Sequence, residues 1–404
     1  MRGHRPEVAD VIREYGSTYL KTYGSSTKTG QKRVLKDICL CRTAALGGHK
    51  ERCDICGHEV ISYNSCRNRH CPKCQGAARA EWLDARAADL LEVPYFHVVF
   101  TLPEKLGHLA LQNKCRIYGI LFQAASQTLL TIAQDPKHLG AKIGFLMVLH
   151  TWGQTLTHHP HVHAVVPGGG LSVDGSRWVS CREGFFLPVR VLSVLFRKKF
   201  LSLLTEAFHA GELSLHGQLK SLSHPGRWND LIENLEETDW VVYAKPPFGG
   251  PEQVLKYLAR YSHRVAISNS RLVSVHDGKV TFRWKDYTQQ SRQRTMTIAT
   301  VDFIRRFLLH VLPKGFVRIR HYGFLANRIR KEKLALCRRL LCAVETKHVS
   351  NDEAGGKTAN EQDHYETAQR CPVCGEGRLI HVEAIKPQRM RGEEILFYLA
   401  FDTL

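Results

Sequence analysis

The segment Thr157-His158-His159-Pro160-His161-Val162-His163-Ala164-Val165-Val166 sets two histidines on either side of one apolar residue, with an apolar run behind them. Side chains alternate faces along a strand, so His161 and His163 point the same way, about 7 Å apart, close enough to converge on one metal ion. Imidazole is a common ligand for transition metals. Two hydrogen-bonded core histidines would give the same spacing, but His158 and His159 add a local excess that such a pair does not explain.

A second group lies at Tyr257-Leu258-Ala259-Arg260-Tyr261. On a helix over residues 252–266, at about 100° per residue, Gln253, Tyr257, Arg260, Tyr261 and Arg264 share a sector of about 100°. Val254, Leu255, Leu258, Ala259, Val265 and Ala266 fall on the other side, in a sector of about 140°. The apolar side would seat the helix on a sheet and leave two phenols, two guanidiniums and an amide exposed. A phenol is a poor nucleophile near its free pKa of about 10 and needs activation. A metal ion on a phosphate ester acts as Lewis acid and orients it, and arginines neutralise charge on the phosphoryl oxygens. Such parts would break a phosphodiester to a 5′-phosphotyrosine and a free 3′-OH, and a second tyrosine would permit a second cleavage. Rim tyrosines of an amphipathic helix are the plainer reading, and the clean segregation of the phenols from the apolar side weakens it.

Five of the thirteen cysteines fall between Cys53 and Cys74. Cys53-Asp54-Ile55-Cys56 and Cys71-Pro72-Lys73-Cys74 are separated by 14 residues. Each knuckle presents two thiolates from one tight turn, so the four match a tetrahedral structural zinc site. Cys39, Cys41, His49, His58, Cys66 and His70 sit nearby. They leave open a second ion or a different partition of the ligands, with Cys66 and His70 as further candidates. Cys371-Pro372-Val373-Cys374 is only half a site, either a lone knuckle or one that recruits distant ligands. The clustering, with no apolar signal core at the N-terminus, argues for metal over disulfides and for a reducing cytosol.

With 57 Lys and Arg against 38 Asp and Glu, the formal charge is +19, which points to a polyanion. There is no 18-residue apolar run, so a membrane is not the expected partner. Arg67 and Arg69 lie in a basic loop between candidate metal ligands. Arg318, Arg320, Arg328 and Arg330 lie in a basic stretch interleaved with Phe316, Tyr322 and Phe324. Cations with aromatics suit single-strand backbone contact and base stacking; a solvated basic face is the rival.

These groups need a scaffold of strands and helices. Strand composition appears at 95–102, 145–150, 240–244, 271–275 and 279–284, besides the histidine strand, and helical patterns at 107–134 and 187–210. The elements do not alternate strictly, so the expected class is α+β. The expected organisation is a helical basic segment at 1–46, a small zinc-ribbon-like domain at 47–80 and a catalytic domain at 81–300 with a helical insertion at about 185–240. A basic DNA-binding segment at 301–344, a linker at 345–370 and a Cys-x-x-Cys tail at 371–404 complete it.

In combination the sequence resembles the rolling-circle insertion-sequence transposases, the two-tyrosine class named HUH for histidine, hydrophobic residue, histidine. The matching pieces are the Cys53–Cys74 cluster with Cys66-Arg67-Asn68-Arg69-His70-Cys71-Pro72-Lys73-Cys74, His159-Pro160-His161-Val162-His163, the segment from Tyr257 through Asn269, and Arg318-Ile319-Arg320-His321-Tyr322-Gly323. The likeness spans roughly residues 10 to 340. It implies a ferredoxin-like sheet carrying the histidines with the tyrosine helix beside it, and transposition through single-stranded DNA at element ends and target. Carried over by position, His161 and His163 are metal ligands and Tyr257 and Tyr261 nucleophiles; Arg260 and Arg264, on the same helical sector, are the expected catalytic neighbours. Gln253, one turn before Tyr257, is the first choice for a third ligand and His159 the second. The resemblance implies Mg²⁺ or Mn²⁺ at that site, a hard ion for phosphate, although imidazoles alone would allow zinc. The expected place of work is the cytoplasm, in association with the nucleoid, and the sequence leaves the oligomeric state, monomer or dimer, open. A replication initiator or relaxase would use the same chemistry, but the chain has no phosphate-loop sequence of the helicase kind. A non-catalytic zinc-ribbon DNA-binding protein would instead scatter the histidines and tyrosines through a core.

Overall fold

The computed structural model describes residues 5–184, 186–248, 253–254, 266–287, 289, 292–345 and 370–388. Along the chain run α1 (Val8–Tyr23), α2 (Thr29–Leu40), β1 (Gly48–Cys53), β2 (Glu59–Tyr63), α3 (Gln75–Ala87), β3 (Tyr95–Thr101), α4 (Gly107–Gln112) and α5 (Lys114–Gln134). Then follow β4 (Gly144–Trp152), β5 (His158–Pro167), β6 (Gly169–Leu171), β7 (Trp178–Ser180), α6 (Val189–His209), α7 (Pro225–Glu237) and β8 (Val242–Phe248). The last described elements are β9 (Leu272–His276), β10 (Lys279–Asp286), β11 (Arg292–Ala299), α8 (Thr300–Leu309), β12 (Ile319–Gly323), α9 (Arg330–Glu345) and β13 (Leu379–Ile385).

The site rests on a five-stranded antiparallel sheet in the order β12-β4-β5-β3-β8. Its four strands β3, β4, β5 and β8, with α4–α5 and α6–α7 as the two crossovers, give the ferredoxin-like βαββαβ arrangement, and β12 extends it at the β4 edge. One face packs on the helices: Val98, Phe100, Met147, Leu149, Val162 and Ala164 join Tyr118, Leu121 and Phe122 of α5 and Phe196, Phe200 and Leu204 of α6 in one core. Each such fully buried side chain contributes about 1.5–3 kcal/mol. Helices thus cover one face, and the alternation of β5 turns His161 and His163 to the other.

A second core forms elsewhere. Val11 and Ile12 of α1, Val34 and Leu35 of α2, Val280 and Phe282 of β10, and Phe303 and Phe307 of α8 pack together. The three-stranded sheet β11-β10-β9 therefore belongs with the N-terminal helices, not with the histidine sheet to which a boundary at residue 300 would assign it. Periodicity identifies a strand but not the sheet that receives it. The region from 211 to 240 packs into the main core. Trp228 is 1 % exposed and stacks on Phe208 at 4.0 Å, and Leu235 enters the same core. A small ribbon, β13-β1-β2, carries Cys53 and Cys56 after β1 and Cys371 and Cys374 before β13.

Candidate metal centre and zinc sites

β5 is the middle strand of its sheet, hydrogen-bonded on both sides, so its residues are held in fixed register. His161 lies opposite Thr101 of β3 and His150 of β4; His163 lies opposite Val99 and Val148. Opposed residues on neighbouring strands share a face. His150, His161 and His163 therefore converge, with their ligand-capable nitrogens all within 4.8 Å of one another. The His150 ring meets that of His163 edge-on at 4.5 Å and stacks on Trp152 at 4.6 Å. His150 and His163 are buried, and His161 is half-buried.

Hydrogen bonds orient the rings. His161 Nδ1 donates to the His159 carbonyl at 2.7 Å, which leaves Nε2 with its lone pair outward. Burial holds the His161 ring well below the usual histidine range, at about 4, so it is neutral at pH 7 and able to ligate. His163 Nδ1 pairs with His97 Nε2 at 2.9 Å, their rings nearly parallel. His97 comes from β3, and its hydrogen bond fixes the orientation of the His163 ring. Three imidazoles so placed fit a divalent ion with open positions. His159, exposed, has its ring 5.3 Å from that of His161 and is outside the converging group, whereas His150, which strand spacing alone did not point to, is inside it. His158 turns to the opposite face, where its Nε2 meets the Tyr118 hydroxyl at 2.8 Å.

Gln253 lies beside Val254, which is fully buried among Tyr95, Leu146, Val148 and Val165. Those residues line the histidine-bearing face, so Val254 seats the chain there four residues after Gly250 and three before Tyr257. Tyr257, Arg260, Tyr261 and Arg264 lie outside the described residues.

The thiols correct the single four-cysteine site read from the knuckle spacing. Cys71 and Cys74 group with Cys41 and Cys66, and Cys53 and Cys56 group with Cys371 and Cys374. In the first group Cys74 Sγ lies 3.4 Å from Cys41 Sγ and 3.5 Å from Cys66 Sγ. Zinc–sulfur bonds of about 2.3 Å put tetrahedral sulfurs about 3.8 Å apart, so the group needs little adjustment to hold zinc. Cys66 is thus placed with the ligands and His70 is not: its Nε2 accepts the Leu312 N–H at 3.4 Å, and burial pushes its pKa down to about 3. Cys39 is buried, its thiol pushed up to about 12 by burial.

The basic residues divide. Arg69 donates to the Phe316 and Pro313 carbonyls at 2.6 and 2.7 Å, so it ties the zinc region to the chain before β12 instead of facing solvent. Arg318 donates to Gln75 at 3.0 Å, and burial lowers its pKa to about 10. Arg320 lies over the Phe122 ring at 4.2 Å, and Arg330 pairs with Asp89 at 3.5 Å. Arg67 and Arg328 are exposed. Among the described residues no helix is long and apolar enough to cross a membrane.

Comparison with known proteins places these features in a family. Residues 11–102 match the IS91-type "Transposase zinc-binding domain", and residues 144–333 match the family described as "Putative transposase". The protein named "Putative transposase y4qJ" of Sinorhizobium fredii (strain NBRC 101917 / NGR234) is 56% identical over 383 residues, 94% of this chain and 95% of its own. The "Transposase for insertion sequence element IS801" of Pseudomonas savastanoi pv. phaseolicola is 30% identical over 295 residues, 72% of this chain and 68% of its own. No solved structure matches. The zinc-binding family supports structural zinc in the cysteine region. On this evidence the chain belongs to the IS91-type insertion-sequence transposases, a family of DNA-processing enzymes.

Proposed function

We propose that this transposase cleaves and rejoins single-stranded DNA at the ends of its element through 5′-phosphotyrosine intermediates. The observation that carries the reading is the convergence of His150, His161 and His163 on the sheet face where Val254 seats the segment leading to Tyr257. A phenolate oxygen of Tyr257 or Tyr261 attacks the scissile phosphorus, the P–O3′ bond breaks, and the released 3′-oxygen takes up a proton. The 3′-OH of another strand reverses the exchange, so the ester energy is kept and no nucleotide is consumed. His150, His161 and His163 would hold a divalent ion, with Gln253 as a further ligand. When bound, that ion supplies Lewis-acid polarisation of the scissile phosphate. Three imidazole nitrogens favour Mn²⁺ over Mg²⁺, which prefers oxygen donors. Arg260 and Arg264 neutralise charge on the phosphoryl oxygens, and Arg67 and Arg328 contact the strand backbone.

The test is incubation of the protein with a labelled single-stranded element end and Mn²⁺, followed by a denaturing gel. A covalent protein–DNA band that is lost in Tyr257→Phe/Tyr261→Phe supports the proposal. Binding without a covalent band, on several element ends, overturns it in favour of a protein that only holds DNA.

A further inference from the structure

Cys53 and Cys56 lie within the zinc-binding family match, and Cys371 and Cys374 lie beyond both matched regions. Neither pair completes a tetrahedral donor set from its own stretch of chain. We propose that Cys53, Cys56, Cys371 and Cys374 together hold a second zinc ion, so that this protein carries two structural zincs and its C-terminal segment is fastened to the N-terminal ribbon.

The sulfurs are positioned for it. Cys53 Sγ lies 3.7 Å from Cys374 Sγ, and Cys56 Sγ lies 3.6 Å from Cys371 Sγ. These separations approach the edge of about 3.8 Å that tetrahedral zinc–sulfur bonds of about 2.3 Å require. They are far longer than the disulfide bond of about 2.05 Å.

The two halves are also built alike. Each reads Cys-x-x-Cys-Gly, and the glycines after the second cysteine, Gly57 and Gly375, have φ of +73° and +74°. Each glycine N–H closes the turn onto the carbonyl of the first cysteine, at 3.1 Å for Gly57 and 2.9 Å for Gly375. In each knuckle a backbone N–H points at a sulfur: Cys56 N–H at Cys53 Sγ, 3.5 Å, and Gly377 N–H at Cys374 Sγ, 3.3 Å. Such donors stabilise thiolate charge, the form that binds metal. A pair of matching knuckles facing each other is a donor set that N–H···S bonds alone do not explain.

The ribbon brings the knuckles together. β13 pairs with β1 from Gly48↔Ile385 to Cys53↔Leu379, so the strand that follows the second knuckle runs beside the strand that enters the first. Asp54 locks the junction: its N–H donates to the Arg378 carbonyl at 3.1 Å and its Oδ1 accepts the Arg378 N–H at 2.8 Å. Gly377 passes so close that a Cβ there would lie 2.3 Å from Cys53 Sγ, which admits only glycine. The ligands are 315 residues apart for Cys56 and Cys371, and a metal crosslink constrains such a long loop strongly. A four-thiolate tetrahedron accepts zinc or iron; the zinc-binding domain that contributes half the ligands points to zinc.

Inductively coupled plasma mass spectrometry on the full-length protein, purified with reductant, should count two zinc ions per chain. Cys371→Ser/Cys374→Ser should hold one, and its amides over 379–385 should exchange faster. A wild type with one zinc, iron in place of the second zinc, or a double variant that keeps both ions overturns the proposal. Native mass spectrometry of the wild type counts the ions without any variant, so a variant that misfolds does not leave the matter open. Zinc content does not depend on strand cleavage, so this result and the covalent-adduct result can fail separately.

Discussion

His150→Phe separates coordination from packing at the proposed metal centre. The side chain is 3 % exposed, stacks on Trp152 at 4.6 Å and meets His163 edge-on at 4.5 Å. Phenylalanine keeps an aromatic ring of similar size in the same stack and deletes both nitrogens. Swaps that conserve volume alter stability by less than about 1.5 kcal/mol. Loss of a ligand's outer hydrogen-bond partner alone reduces metal affinity about 10–100-fold. Removing one of three ligating nitrogens should reach at least the upper end, about 100-fold, or about 2.8 kcal/mol at 1.4 kcal/mol per decade. The assay is single-strand cleavage as a function of Mn²⁺, with thermal unfolding of both proteins in parallel. The expected result is a rise of about 100-fold in the Mn²⁺ concentration for half-maximal cleavage, with the unfolding midpoint little changed. An unchanged Mn²⁺ dependence in a folded variant refutes His150 as a ligand and with it the three-imidazole reading.

Arg69→Ala should weaken the fold more than it weakens DNA binding. The guanidinium makes two charge-assisted hydrogen bonds to carbonyls, and because it is only half-buried their sum is about 2 kcal/mol, read by urea unfolding. Arg67→Ala, exposed, should leave stability within about 0.5 kcal/mol while lowering the salt slope of single-strand binding by about 1. Acid should destabilise the protein between about pH 6.5 and 3. Burial depresses His70, His158 and His310 to about 3, so the unfolded chain binds more protons in that window and stability falls as pH drops. Each group accounts for up to about 1.4 kcal/mol per pH unit, and His310→Gln should flatten the dependence of urea unfolding on pH.

Local periodicity was enough to place His161 and His163 on one face of a strand, and Val254 on the buried side of its segment. It could not supply His150. That residue is a ligand candidate because β4 lies beside β5 with His150 opposite His161, and strand order and register are tertiary facts. The cysteines failed for a similar reason. The two knuckles nearest in sequence are not partners, because β13 returns from the far end of the chain to pair with β1 and brings Cys371 and Cys374 with it. Cys41 joins the other group from the end of α2, with no short spacing to advertise it. Arginine runs reveal charge but not direction, and Arg69 and Arg318 found carbonyl and amide partners inside the molecule. What was legible was the chemistry of single segments; what was not was the pairing of segments far apart.

The most direct test of the account is peptide mapping by mass spectrometry of protein incubated with a single-stranded element end and Mn²⁺. The account predicts a nucleotide-bearing peptide with the adduct on Tyr257 or Tyr261, formed by wild type and absent from Tyr257→Phe/Tyr261→Phe. An adduct on any other residue, or cleaved DNA with no adduct at all, would contradict it.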